Sequence, residues 1–342
     1  MKAVIKDRAE PGIWVKEVQT PRPDSEEILV RVKKASICGS DLGLYEFTPA
    51  YASFAKLPTI PGHEFAGEVA ELGQGVTQFE VGDHVVAESV LSCGTCQFCL
   101  NGQTNLCLKF RIFGIHTNGG FSEYVAVPQK HLHHLNPALS FEEAAIIEPL
   151  SVCCHAVRDV AQISGSGTVL LLGPGPIGLL AGQVVRAEGS ENVIVSGIGV
   201  DEARLSIASK LGFKTINSDR QDLVREVMAS TRIGADVAIV AAGSSRALAQ
   251  GCELVRKGGK VLNIAIYPQS VELPVTNLVR REIALLGTFG SVWKNYEEAM
   301  NLAANHKVAL ETLVTHRYPI DEAPTAFAKA KAKEGCKIQL VI

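Results

Sequence analysis

Read by the spacing of its apolar positions, the chain changes character near residue 150. Before that point apolar residues come in short runs bounded by Gly, Pro and Asp. EEILVRVKKASI, FAGEVAELG, DHVVAES and GFSEYVAV each predict a β-strand. No long helical period occurs there before Ser140. Ser140 and Glu143 form an S-x-x-E pair ahead of an apolar run, which predicts a capping box opening a helix near EEAAII.

From Thr168 onward strands and helices alternate. TVLLLG reads as a buried strand and IGLLAGQVVRAEG as a helix; NVIVSG and DEARLSIASKLG repeat the pair. ADVAIVAAG, GKVLNIAI and EIALLGTF predict further strands, with RALAQGCELVRKGG a helix between two of them. This alternation predicts a doubly wound parallel sheet covered on both faces, an α/β fold. The segment from about 290 carries two helix-like pieces and ends in the strand KIQLVI.

Composition narrows the function classes. Among 342 residues, 46% are hydrophobic and 20% charged, which is enough apolar material for real cores. A net charge of -3 argues against nucleic acid as a partner, because phosphate binding needs a concentrated positive field. The charged N-terminus lacks a signal-peptide core, and Gly and Pro break the longest apolar runs, so a cytoplasmic protein without a membrane partner is expected. Nine cysteines there are expected to be metal ligands or buried thiols, not disulfides.

Four of them, Cys93, Cys96, Cys99 and Cys107, have the spacing C-x2-C-x2-C-x7-C. Two-residue gaps let successive thiolates turn onto one tetrahedral ion, and four thiolates leave no open position, so a structural zinc is expected. A disulfide pair or four unrelated thiols are the alternatives. A nucleic-acid zinc ribbon would need more basic neighbours than Lys109 and Arg111. The histidines of QKHLHHLNP (His131, His133, His134) read as a loop, because a Pro soon follows.

Gly173, Gly175 and Gly178 form G-x-G-x-x-G between a predicted strand and a predicted helix. The first Gly permits the tight turn, the second lets a pyrophosphate approach the backbone, and the third lets helix pack on strand. With Pro176 and Ile177 opening the helix, its N-terminus is suited to phosphate. A nicotinamide dinucleotide, NAD(P)(H), is the expected cofactor. The next strand ends in Ser196 and Gly197 and meets no acid until Asp201, so the residues favour NADP, with Arg204 placed to pair with a 2′-phosphate.

Three further pieces stand out: ICGSD (Cys38 to Asp41), PGHEFAGEV (His63, Glu64 and Glu68) and IEPLSV (Glu148). Joined to the dinucleotide fingerprint and the cysteine cluster, they resemble the zinc-containing medium-chain dehydrogenase/reductase superfamily over essentially the whole chain. E-P-L points to its polyol (sorbitol/L-iditol-type) branch. The resemblance implies a GroES-like, β-rich catalytic domain over residues 1–150, completed by 288–342 and carrying the structural zinc lobe. It places a Rossmann domain over 151–287 and the active site in the cleft between the two.

It also implies a second, catalytic zinc bound by Cys38 and His63, with Glu64 and Glu148 as further ligands. Glu68 is expected to approach the metal during exchange, and Asp41 to orient a ligand. Such a zinc keeps a position open and acts as a Lewis acid on an alcohol. Ser40 is the expected start of a proton relay. Relatives continue that relay through a His where this chain has Gly43, leaving cofactor ribose, Glu148 or water as the next step.

The expected reaction is hydride transfer between a secondary alcohol of a polyol, sugar or sugar derivative and NAD(P), in a homodimer or homotetramer. Gly290 and Ser291 stand where sorbitol dehydrogenases carry an Arg-Tyr pair, which counts against sorbitol itself. Tyr45, Phe47, Phe110 and Phe289 are candidate substrate contacts. An L-threonine 3-dehydrogenase is the nearest enzymatic alternative; a zinc- and nucleotide-binding relative without turnover is the other.

Overall fold

The computed structural model of the protein describes residues 1–267 and 269–342. These divide into two compact units. The first joins Met1–Ser151, Ser291–Ala304 and Val314–Ile342; the second joins Val152–Gly290 and Asn305–Leu313.

The strands run, in chain order, β1 (Lys2–Ile5), β2 (Trp14–Glu17), β3 (Glu27–Ser36), β4 (Glu64–Leu72), β5 (His84–Ala87), β6 (Val90–Leu91), β7 (Arg111–Ile112), β8 (Tyr124–Pro128) and β9 (Leu132–His134). The second unit adds β10 (Val169–Leu172), β11 (Val193–Gly197), β12 (Lys214–Asn217), β13 (Ala235–Val240), β14 (Val255–Asn263) and β15 (Ala284–Gly287). The first unit resumes with β16 (Val314–Pro319) and β17 (Lys337–Val341).

In the first unit the main sheet has the order β16-β17-β3-β4-β5-β9, with β8 also on β3. Its core is aromatic and aliphatic, with Phe65, Phe113, Phe121 and Phe327 packed among Val30, Val85 and Leu340. Register positions the chemistry. Antiparallel β3 and β4 pair Ser36 with Glu64, so the residues just after β3 meet those just before β4. β17 pairs Gln339 with Ser36 on the other side of β3, which brings Lys337 level with Cys38.

The second unit is an all-parallel sheet ordered β12-β11-β10-β13-β14-β15, the doubly wound dinucleotide-binding arrangement. Its inner strands are buried, Leu170, Ile194, Val240 and Val261 among them, as expected where helices cover both faces, whereas β15 at the end of the sheet is largely exposed.

The capping box at Ser140 forms as expected: Glu143 N–H donates to Ser140 Oγ at 3.3 Å and Ser140 N–H to Glu143 Oε2 at 2.9 Å. Three readings differ. The helix in RALAQGCELVRKGG stops at Leu254, and VRKGG belongs to β14, because Val255 pairs with Ala235 and Gly258 takes a φ of 68°. His131–His134 lie on a 3-10 turn and on β9, the latter held by pairing with β5, where a loop was expected. β12 and β16 went unread, being short strands whose partly exposed alternation is weak as a signal.

Candidate active site and metal centres

Cys38 caps the helix Gly39–Glu46 that follows β3, while His63 and Glu64 open β4. One ligand atom each of Cys38, His63 and Glu64 lies within 4.8 Å of the others. Asp41, in the first turn of the helix, ties the two segments together. Its carboxylate accepts from Cys38 N–H at 2.9 Å and from Gly62 N–H at 3.3 Å, and its Oδ1 lies 3.8 Å from His63 Nδ1. Ser40 Oγ sits 3.4 Å from His63 Nε2.

His63 Nδ1 and Glu64 Oε1 are buried and find no hydrogen-bond partner among the described residues. Such groups cost free energy when left unmatched. A thiolate, an imidazole and a carboxylate converging with unmatched lone pairs form a donor set suited to zinc. The residues therefore fit the ion.

Glu148, on the helix Ile147–Cys154, is also buried. It stands beside the three-residue cluster, its carboxyl bonded to Ser89 and raised above the usual range by burial and then by the Glu64 charge, against His63. Burial would depress His63, but the charges of Cys38 and Asp41 outweigh it and raise the imidazole well above its ordinary value. Asp41 is raised, chiefly by burial.

Sequence reasoning missed Lys337. Its ammonium is buried, forms an ion pair with Glu64 and donates to Ile37 O at 3.3 Å. Burial opposes its charge, yet Glu64 and then Cys38 hold its pKa above normal. A Lys in KIQLVI carries no local mark of this; only the β17–β3 register reveals it. Glu68 does not join the site: it is one-third exposed and pairs with Lys33 at 3.0 Å.

A second buried polar cluster forms where the sequence suggests a loop. Glu88 Oε2 meets His131 Nδ1 at 2.7 Å, and its Oε1 lies 3.6 Å from His133 Nε2. His133 Nδ1 meets Glu297 at 2.7 Å, its ring stacked 3.7 Å from Trp293 and 4.9 Å from Tyr296. Of the aromatic candidates, Tyr45 stacks on Phe327 at 5.6 Å and is core packing. Phe47 lies against Lys6, and Phe110 is edge-on to His116 at 6.0 Å. Phe289 is 39% exposed. Ser291 bonds Ser151, Oγ to Oγ, at 2.7 Å.

Cys93, Cys96, Cys99 and Cys107 form the other ligand cluster. Sγ separations of 3.5 Å (Cys96–Cys99) and 3.9 Å (Cys93–Cys99) compare with about 3.8 Å for two thiolates on a tetrahedral zinc with bonds of about 2.3 Å. Backbone N–H groups already point at the sulfurs: Thr95 and Cys96 at Cys93 (3.4 Å each), Lys109 at Cys107 (3.3 Å). Those donors, Thr95 N–H first, lower the Cys93 thiol to about 5. The four residues fit a closed, structural ion.

In the second unit Gly173, Gly175 and Gly178 follow β10, and Pro176 and Ile177 open the helix Pro176–Ala187. Gly173 has φ 107°, a left-handed conformation that a side chain would strain. A Cβ on Gly178 would lie 2.1 Å from Gly173 O, so helix packs directly on the turn. A Cβ on Gly175 would meet nothing within 4 Å, which leaves open space above its backbone. Ser196 and Gly197 end β11, and Gly197 O accepts from Ser218 N–H at 2.9 Å. Asp201 Oδ2 accepts from Ile198 N–H at 3.3 Å, and its Oδ1 lies 3.9 Å from Arg204 Nη1.

A doubly wound sheet with a glycine fingerprint, together with a β-rich unit carrying one open and one closed zinc-type ligand cluster, defines a metal-dependent dinucleotide dehydrogenase. Residues 24–137 match the alcohol dehydrogenase GroES-like domain, and 176–305 match the zinc-binding dehydrogenase domain. The chain is 36% identical to sorbitol dehydrogenase of Halalkalibacterium halodurans, covering 99% of each. It is 35% identical to L-threonine 3-dehydrogenase of Pyrococcus horikoshii, covering 100% of this chain and 99% of that one. A zinc-binding dehydrogenase of Sinorhizobium meliloti, solved bound to NADP, superposes with a TM-score of 0.91 at 31% identity, covering 100% of this chain and 99% of that one. The chain belongs to the zinc-containing medium-chain dehydrogenase/reductase superfamily, as a zinc- and NAD(P)-dependent alcohol or polyol dehydrogenase.

Proposed function

We propose that the chain interconverts a secondary alcohol of a polyol, sugar or sugar derivative and its ketone at Cys38, His63 and Glu64, with Glu148 beside them. The observation that carries this is the buried convergence of those three ligand atoms with unmatched lone pairs on His63 and Glu64. Zinc held there would supply Lewis acidity that makes an alcohol hydroxyl easier to deprotonate, and a bound nicotinamide would supply the hydride acceptor. Asp41 fixes Cys38 and His63 in place, and Ser40 receives the hydroxyl proton. Cys93, Cys96, Cys99 and Cys107 hold the structural zinc.

Residues 1–150 and 288–342 serve as the catalytic domain and 151–287 as the cofactor domain, except that 288–290 and Asn305–Leu313 group with the latter. Gly173, Gly175, Pro176, Ile177 and Gly178 cradle the pyrophosphate; Ser196, Gly197 and Arg204 face the adenosine ribose. NADP is favoured because Asp201 is spent on its own loop and on Arg204. Oxidation of L-threonine is the second reading, favoured by the relative of that activity.

A homodimer through β15 is supported by that strand's place at the end of its sheet and by exposed Val275, Val279 and Leu285 nearby. A cytoplasmic setting is supported by the converging thiols of Cys93, Cys96, Cys99 and Cys107. Among the described residues no helix is long and apolar enough to cross a membrane.

The test is a spectrophotometric screen of polyols, sugar phosphates, sugar acids and L-threonine with NAD and NADP separately. Polyol or sugar turnover lost in Cys38→Ser, with folding intact, supports the reading; turnover retained in Cys38→Ser overturns it. Arg204→Ala should raise KM for NADP and leave NAD unchanged. Light scattering of wild type against Leu285→Lys tests the dimer.

A further inference from the structure

The helix Gly39–Glu46 brings Ser40 to His63, but it offers no side chain at Gly43 to carry a proton onward. That space is filled from elsewhere. A Cβ built on Gly43 would lie 2.2 Å from Tyr51 Cε2 and 2.8 Å from its Cζ, so the Tyr51 ring lies directly on the Gly43 backbone. Tyr51 comes from the next helix, Pro49–Ala52, and its ring packs against Phe54 at 5.2 Å. Its hydroxyl lies within reach of Ser40. Tyr51 is half-buried, so the pair runs from beside His63 to a residue that solvent partly reaches.

We propose that Ser40 and Tyr51 form a two-hydroxyl proton path, in which Tyr51 occupies the volume that Gly43 vacates and passes the alcohol's proton toward solvent. This rests on the active-site reading above. During oxidation the alcohol O–H bond breaks as a new O–H bond forms on Ser40 Oγ. Ser40 gives its original proton to Tyr51 Oη, and Tyr51 gives its own to water. Each side chain ends neutral and one proton reaches solvent; the O–H pair becomes the second C–O bond of the ketone as the carbinol C–H bond breaks, its hydrogen and electron pair going as hydride to the nicotinamide. Gly43 is specified by this packing, because any side chain there collides with the ring.

Tyr51→Phe tests the path, since it keeps the ring and removes only the hydroxyl. The zinc-loaded protein is mixed with NADP (and with NAD in a parallel run) and an alcohol turned over in the screen above, in weak buffer containing a pH indicator. Proton release is followed apart from turnover. The expected result is release and kcat slowed about tenfold or more, with zinc content and cofactor KM unchanged and partial recovery in added imidazole. Gly43→His alone should displace Tyr51 and lower activity, whereas Gly43→His in a Tyr51→Ala background should restore release toward wild type.

Wild-type release in Tyr51→Phe, or slow release that imidazole does not recover, overturns the relay. Cys38→Ser separates the two readings. If it abolishes turnover while Tyr51→Phe matches wild type, only the relay fails; if it retains turnover, the active-site reading fails first.

Discussion

Lys337 and Glu64 are 2% and 0% exposed, and their ion pair sits where water cannot screen it. Replacing the ammonium by an apolar chain of similar length, Lys337→Met, leaves a buried carboxylate facing only what the metal offers. Removing one partner of a buried pair costs about 3–5 kcal/mol, whereas replacing both by uncharged groups is often near neutral. In metal-free protein, Lys337→Met should therefore lose most of that amount, and the Lys337→Met/Glu64→Gln double variant should recover most of it. The coupling energy between the sites should exceed about 1 kcal/mol. Urea unfolding by tryptophan fluorescence is a suitable assay, because Trp14 and Trp293 both belong to the first unit and report on it alone. With zinc bound the penalty should shrink, since the ion supplies Glu64 with positive charge. A single-variant loss below about 1 kcal/mol in the metal-free protein, or strict additivity, would refute the argument that Lys337 neutralises Glu64.

Cys93→Ser should bind one zinc per chain where the wild type binds two, read by elemental analysis, and should unfold at lower temperature because the closed cluster loses a ligand. Gly178→Ala should weaken dinucleotide binding tenfold or more, since its Cβ would press on Gly173 O at 2.1 Å. Gly175→Ala meets no protein atom within 4 Å, so it should leave thermal unfolding unchanged and reduce only dinucleotide affinity, measured by calorimetric titration. Burial alone would raise Glu88, but its bond to His131 and the nearby His133 hold it below the ordinary 4.5. Its stabilisation is thus complete above that value and drains away as pH falls through the lower folded one. Glu88→Gln should flatten the acid side of the wild-type stability profile, and an unchanged profile would rule the network out as its source.

Much of the fold was legible because its signals are local. Strands β10, β11 and β13 are continuous apolar runs, and a parallel sheet buried on both faces demands that composition. The glycine fingerprint and the Cys93–Cys107 cluster were equally readable, since ligand spacing and turn geometry act over a few residues. Short strands were not: β12 and β16 carry too little period to stand apart from loops, and β9 exists because β5 pairs with it. The strand ending RALAQGCELVRKGG was hidden for the same reason, its direction set by pairing with β13.

The same division runs through the site. The sequence by itself determined the candidate ligand types, Cys38, His63 and Glu64, and the absence of a side chain at Gly43. Tertiary structure decided which charges face one another. It set Glu64 against Lys337 across nearly the whole chain length, sent Glu68 out to Lys33, and buried His131 and His133 around Glu88. It also laid Tyr51 over Gly43, where the missing side chain became a vacant volume that another ring fills. Residue type and spacing fix what chemistry a segment can do. Register and packing between distant segments fix which partner it meets, and that information is carried by no single stretch of the chain.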